Sequence, residues 1–190
     1  MYKMLAIGFS AGGIPLAKRI LKALPTDYPL PVAIVAHLPS GSESHLAVML
    51  GQDISLPVSM VKDKEAILAG HVYIAPPDYH LLIEGRDTPK FALSVDAPVS
   101  SVRPSINVLF ESAAEAFESG LIAVLLSGAN SDGAEGMVYV KQLGGLVIVQ
   151  DPDESEFSTM PNAVIRRVDV DYIVSMDEII SLLLSVHEAP

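Results

Sequence analysis

At 190 residues, half of them apolar and none of them cysteine, the chain is long enough for one well-filled core and short for two, so a single domain over 1–190 is expected. That composition argues against disorder, and it excludes disulfides, thiolate catalysis and thiolate metal sites. The formal net charge of -11, with no basic aromatic-interleaved segment to counter it, argues against nucleic acid, and no apolar run reaches bilayer-spanning length, so a cytoplasmic chain without membrane insertion is expected.

The first element is the apolar run Met4-Leu5-Ala6-Ile7, a buried strand that opens into Gly8-Phe9-Ser10-Ala11-Gly12-Gly13. The spacing Gly-x-Ser-x-Gly between a strand and a helix is the nucleophile-elbow pattern, in which a crowded turn leaves no room for side chains beside the serine. The amide of Ala11 would then point toward the oxygen of whatever Ser10 attacks. Two plainer readings stand beside this one: a serine that caps the following helix, and a dinucleotide loop, which lacks its third glycine. Ala17, Ile20, Leu21 and Leu24 fall at helical spacing before Pro25. The continuous apolar run 31–36 predicts a strand covered on both faces and ends at His37, followed by Leu38-Pro39-Ser40-Gly41. A helix over 42–51 and a short strand over 57–61 follow.

The middle of the chain changes character. Short runs at 72–75, 81–83 and 91–95, separated by Pro76-Pro77-Asp78 and other turn residues, predict an antiparallel hairpin at the edge of the sheet. From Pro104, the residues Ile106, Leu109, Phe110, Ala113 and Phe117 form one helical face. Leu121 to Leu126 is a second uninterrupted strand, opening into the small-residue loop Ser127-Gly128-Ala129-Asn130-Ser131-Asp132-Gly133. A helix to Leu143, a strand 146–149, a helix 160–165, a strand 172–174 and a terminal helix complete the chain. Ser175 with Glu178 three residues later is a capping box for that last helix.

Strands alternating with helices predict an α/β fold: a doubly wound, mostly parallel sheet in a Rossmann-like three-layer arrangement, with ligands bound beyond the carboxyl ends of the strands. Ser10, His37 and Asp132 all lie there. A serine hydroxyl needs a histidine to take its proton, and the histidine needs an acceptor to fix its tautomer, so the three types form a candidate acyl-transfer triad. Taken singly, His37 is an ordinary loop histidine and Asp132, before Gly133, a turn or N-cap aspartate. His45 and His71 read as solvated, and His80 as a hairpin residue with a possible place near the cleft. The acidic loop at Asp151-Pro152-Asp153-Glu154 lacks the spaced ligands and turn glycine of a calcium loop, so no metal is expected.

At these residues the sequence resembles the catalytic domain of the bacterial chemotaxis protein-glutamate methylesterase (CheB) family. The resemblance covers nearly the whole chain and rests on Ala6 to Gly13, on Val35-Ala36-His37-Leu38-Pro39 and on Tyr73 to Leu82. It continues through Arg103 to Phe110, Leu126-Ser127-Gly128 through Asp132-Gly133-Ala134, and Gln150-Asp151-Pro152 with Met160-Pro161. It implies a serine esterase without cofactor that removes methyl groups from glutamyl methyl esters on the cytoplasmic domains of methyl-accepting chemoreceptors, and that deamidates receptor glutamines. The family's catalytic serine, histidine and aspartate match Ser10, His37 and Asp132, and its oxyanion amides match Ala11 and Ala129.

Three departures accompany the match. Ala11 stands where the family usually has threonine, and Gly128-Ala129-Asn130 where it usually has Gly-Met-Gly; Asn130 lacks the freedom of glycine at positive φ, which puts the shape of that loop in question. No receiver domain precedes the first strand, so either control comes from a separate regulatory chain, or the sequence is a piece of a longer one, or activity is unregulated. Two rivals remain at this point: a weakly active or inactive binding domain of the same fold, and an α/β-hydrolase using Ser10, Asp132 and His187.

Overall fold

The computed structural model describes residues 1–37 and 45–188, the side chains of 186–188 excepted. The predicted strand at 4–7 is β1 (Met4–Phe9), followed by α1 (Gly13–Ala23), β2 (Val32–Ala36), α2 (Leu46–Gly51), β3 (Val58–Met60) and β4 (Val72–Ile74). Then come β5 (His80–Glu84), β6 (Lys90–Ser94), α3 (Ile106–Phe117), a single 3-10 turn at Glu118–Gly120, and β7 (Leu121–Leu125). The chain continues with α4 (Ala134–Gln142), β8 (Leu146–Gln150), α5 (Thr159–Ile165), β9 (Tyr172–Val174) and α6 (Met176–Glu188). Residues 38–41 of the loop after His37, and 42–44 of the helix expected from Ser42, lie outside the described residues.

Seven strands form one parallel sheet in the order β3-β4-β2-β1-β7-β8-β9. Every residue of β1, β2 and β7 is buried, whereas the edge strands β3 and β9 are only partly covered. That is why the central strands read as unbroken apolar runs. Leu5, Ile7, Phe9, Val32 and Ile34 pack with α1, α2 and α6 on one face, and Met4, Ala6, Ala33 and Ala123 pack with α3, α4 and α5 on the other.

The second face carries a device that positions the site. Ala6 is in register with Ala33 on β2 and with Ala123 on β7, so a row of three alanines crosses the middle of the sheet. Short side chains let a helix settle close, and α3 lies over β1, β2 and β7 with Ile106, Leu109 and Phe110 fully buried. Burial of each of those three is worth about 1.5–3 kcal/mol. The N-terminus of α3 is thereby brought to the carboxyl ends of the central strands.

The antiparallel hairpin is present, with two corrections: the run at 72–75 is β4, parallel to β2 and β3 in the large sheet, and the hairpin lies away from the sheet's edge. β5 and β6 pair with each other as a two-stranded sheet, with a single further bridge from Lys90 to Ala66, and they pack on α3 instead of extending an edge of the large sheet. Leu81, Ile83 and Phe91 are buried in the α3-face core, so apolar burial and not edge pairing fixes the hairpin. The capping box forms as expected: Ser175 N–H donates to Glu178 Oε2 at 3.0 Å and Glu178 N–H to Ser175 Oγ at 3.3 Å.

Candidate active site

The sheet reverses its winding at β1, whose neighbours are β2 and β7. Hydrogen bonds lace these three strands beyond their ends: His37 N–H to Phe9 O at 3.1 Å, Leu126 N–H to Gly8 O at 3.0 Å and Ser10 N–H to Ser127 O at 2.9 Å. Ser10, His37 and the Ser127–Asp132 loop therefore emerge side by side at the position where open α/β sheets bind ligands.

The glycines around Ser10 have separate reasons. A Cβ on Gly8 would lie 2.4 Å from Ile106 Cγ2, so the close approach of α3 forbids one. Gly12 has φ 76°, the left-handed turn that starts α1 at Gly13, and a Cβ there would also meet Glu156 and Ser127. Ser10 itself has no left-handed backbone. The turn thus differs from the strained elbow of an α/β-hydrolase, because the reversal is absorbed two residues later.

Asp132 is fully buried and its carboxylate receives four donors. Oδ1 accepts the Ser105 hydroxyl at 2.8 Å and Asn107 N–H at 3.3 Å; Oδ2 accepts Ile106 N–H at 2.6 Å and His37 Nε2 at 2.9 Å. Burial alone would push its pKa up, but the hydrogen bonds from His37, Ile106 N–H and Ser105 outweigh it and hold the carboxyl below the ordinary 3.8. The first turn of α3 supplies the positive end of a helix to the same group.

The other ring nitrogen of His37 is also engaged. Asn130 Nδ2 lies 3.1 Å from His37 Nδ1, and Asn130 Oδ1 accepts Asp132 N–H at 3.0 Å. A backbone N–H can only donate, so Asn130 must turn its oxygen to Asp132 and its amide N–H to His37. His37 Nδ1 is then an acceptor and Nε2 carries the proton, so the network specifies the tautomer. Among the described residues the Ser10 hydroxyl makes no hydrogen bond, and His37 Nδ1 is occupied by the Asn130 amide.

The loop positions behave differently from one another. Asn130 has no positive φ, so the Gly-to-Asn departure costs the backbone nothing. Among the described residues, no hydrogen bond is donated by the N–H of Ala11 or of Ala129. Ser127, buried, donates its hydroxyl to Ala11 O at 2.8 Å and accepts Phe157 N–H at 3.0 Å, tying the serine turn to the loop before α5.

Comparison with known proteins now decides the family. The profile of the family described as CheB methylesterase matches residues 5–183. The chain belongs to the CheB methylesterase family. A Leptospira interrogans protein named for protein-glutamate methylesterase/protein-glutamine glutaminase activity is 44% identical over 183 residues, covering 96% of this chain and 94% of the relative. A Thermotoga maritima protein-glutamate methylesterase/protein-glutamine glutaminase is 35% identical over 173 residues, covering 90% of this chain and 50% of the relative. The crystal structure of the Thermotoga maritima CheB methylesterase catalytic domain superposes with TM-score 0.93 at 34% identity, covering 98% of this chain and 99% of that one. The activity class is accordingly protein-glutamate methylesterase/protein-glutamine glutaminase.

Membership of the CheB methylesterase family replaces the α/β-hydrolase alternative; Asp132 is bonded to His37 and the start of α3, and the side chain of His187 lies outside those described. Of the other histidines, His71 differs from the solvated expectation, and His80 lies on the hairpin as expected. His71 is half-buried, bonded through Nε2 to Ser59 Oγ at 2.9 Å and stacked on Tyr73 with centroids 4.4 Å apart. His80 is buried at the start of β5, its Nδ1 accepting Ser105 N–H at 3.2 Å and its Nε2–H donating to Ala97 O at 3.1 Å. Ser105 thus links His80 to Asp132, a role that the Arg103-Pro104-Ser105-Ile106-Asn107 segment signals only by its small polar residues at a helix start. Asp151 makes a local turn, accepting Asp153 N–H at 2.9 Å. No helix among the described residues is long and apolar enough to cross a membrane.

Proposed function

We propose that the chain acts as one catalytic domain in the cytoplasm, hydrolysing glutamyl methyl esters on the cytoplasmic domains of chemoreceptors, with Ser10 as nucleophile, His37 as base and Asp132 as the group that orients it. The observation that carries this reading is the Asp132–His37 pair. With Nε2–H bound to a buried carboxylate, Nδ1 is the one atom able to exchange a proton, and it stands at the end of the strand beside that of Ser10.

In the reaction, Ser10 Oγ bonds to the ester carbonyl carbon while its proton passes to His37 Nδ1. The carbonyl oxygen becomes an oxyanion, and the N–H groups of Ala11 and Ala129 receive it; one such donor is typically worth about 10²–10³ in rate. The intermediate collapses with cleavage of the carbon–methoxy bond, and methoxide leaves as methanol with the proton from Nδ1. Water, losing a proton to Nδ1, then bonds to the carbonyl carbon of the glutamyl-serine ester; the carbon–Oγ bond breaks, Ser10 Oγ takes the proton back from Nδ1, and glutamate is freed. A receptor glutamine follows the same route with ammonia as the leaving group.

The test is release of methanol from a methyl-esterified receptor fragment. Ser10→Ala is expected to abolish it while the circular dichroism of the chain is unchanged; undiminished release would remove Ser10 from the mechanism.

A further inference from the structure

Resting on His37 being the base, the geometry points to a latch: we propose that Asn130 holds the free enzyme with its base capped, and that the arriving ester must displace this side chain before Ser10 can be activated. His37 Nδ1 has one lone pair in the ring plane. While Asn130 Nδ2–H occupies it at 3.1 Å, the Ser10 hydroxyl has no acceptor on that ring. Nε2 is no substitute, because it is protonated and bound to Asp132 at 2.9 Å.

The contact belongs to the resting state alone. Once Nδ1 takes the serine proton it becomes a donor, and it then faces a second donor, since Asp132 N–H fixes the oxygen of Asn130 on the far side at 3.0 Å. Two donors cannot bond, so Asn130 must turn away as the transition state forms. An interaction made in the ground state and lost in the transition state slows the chemical step. Besides its bonds to His37 and Asp132 N–H, little holds the side chain: Asn130 is only half-buried, and Ala129 and Ser131 on either side are exposed. Asp132, anchored by four donors, stays in place. The residue therefore slows acylation by the weight of the one hydrogen bond that must break before His37 Nδ1 is open to Ser10.

The experiment uses the intact chain with Asn130→Ala, and with Asn130→Ser, whose hydroxyl still accepts Asp132 N–H in a local turn but does not carry an amide to His37. A small serine-directed phosphonate labels Ser10, and ¹⁵N spectroscopy reads the two ring nitrogens of His37. Both variants are expected to be labelled about three- to tenfold faster than the parent, the weight of one net hydrogen bond. In both, the Nδ1 resonance should move while Nε2 stays. A labelled parent with variants labelled no faster, whatever the resonances do, overturns the latch and leaves the esterase reading standing. A parent and variants that are never labelled at Ser10 overturn the esterase reading, and the latch with it.

Discussion

His37 and His80 stand at opposite ends of one hydrogen-bonded chain, His80–Ser105–Asp132–His37, and each has both ring nitrogens occupied. The partners of His80 are backbone groups of the Ala97 segment and of Ser105, fixed by the fold. Those of His37 are side chains: Asp132, held by four donors, and Asn130, held by one. A histidine becomes a base only where one of its nitrogens can change partner without unfolding anything. His80 meets the burial and hydrogen-bonding conditions of a functional residue, but both its partners are backbone groups, and one of them, Ser105 N–H, is buried at the start of α3.

The difference is broken most directly at His37. His37→Ala should lower kcat for ester hydrolysis by roughly 10⁴–10⁶, as for members of cooperating triads, in a chain that remains folded by circular dichroism. A loss below tenfold would mean that another group takes the serine proton.

His80→Ala should reverse the pattern. It leaves the buried Ser105 N–H unpaired and opens a cavity, while Ala97 O, in an exposed segment, turns to water; the expected cost is about 2–4 kcal/mol in stability by denaturant unfolding. Because Ser105 keeps its hydroxyl on Asp132, kcat should remain within about tenfold of the parent. A large loss of kcat without loss of stability would give His80 a part in the chemistry.

The smallest effect sharpens the comparison through pH. Asp132 has a folded pKa below 3.8, so its contribution to stability is fully present above the unfolded value and is lost as pH falls through the folded one. Asp132→Asn should therefore be less stable than the parent at pH 7, and the gap should narrow only below about pH 4. A gap that closes already between pH 7 and pH 5 would show that Asp132 is not held as a carboxylate by the α3 terminus.

Ser10, Gly12, His37 and Asp132 were legible in the sequence because each follows an uninterrupted apolar strand, and strand burial leaves its mark on every residue of the run. The capping box at Ser175 and Glu178 was legible for a similar reason, since its partners lie three residues apart. His80 was not: the alternation of β5 says that one face is buried, but not that α3 would cover it. The hairpin's seat on α3 escaped likewise, since edge pairing and face packing demand the same local pattern of short apolar strands.

What the sequence determined alone was the set of elements and the three side chains at their ends, because burial periodicity, turn glycines and helix caps act between near neighbours. Only the tertiary structure decided which nitrogen of His37 meets Asp132, which end of the Asn130 amide faces the ring, and that Ser105 joins His80 to the carboxylate. Those contacts link residues separated by 95, 93 and 25 positions. A hydrogen bond is made or lost within a few tenths of an ångström, and positioning of that kind at such separations comes from packing: the alanine row that admits α3, and the register that sets β1 between β2 and β7.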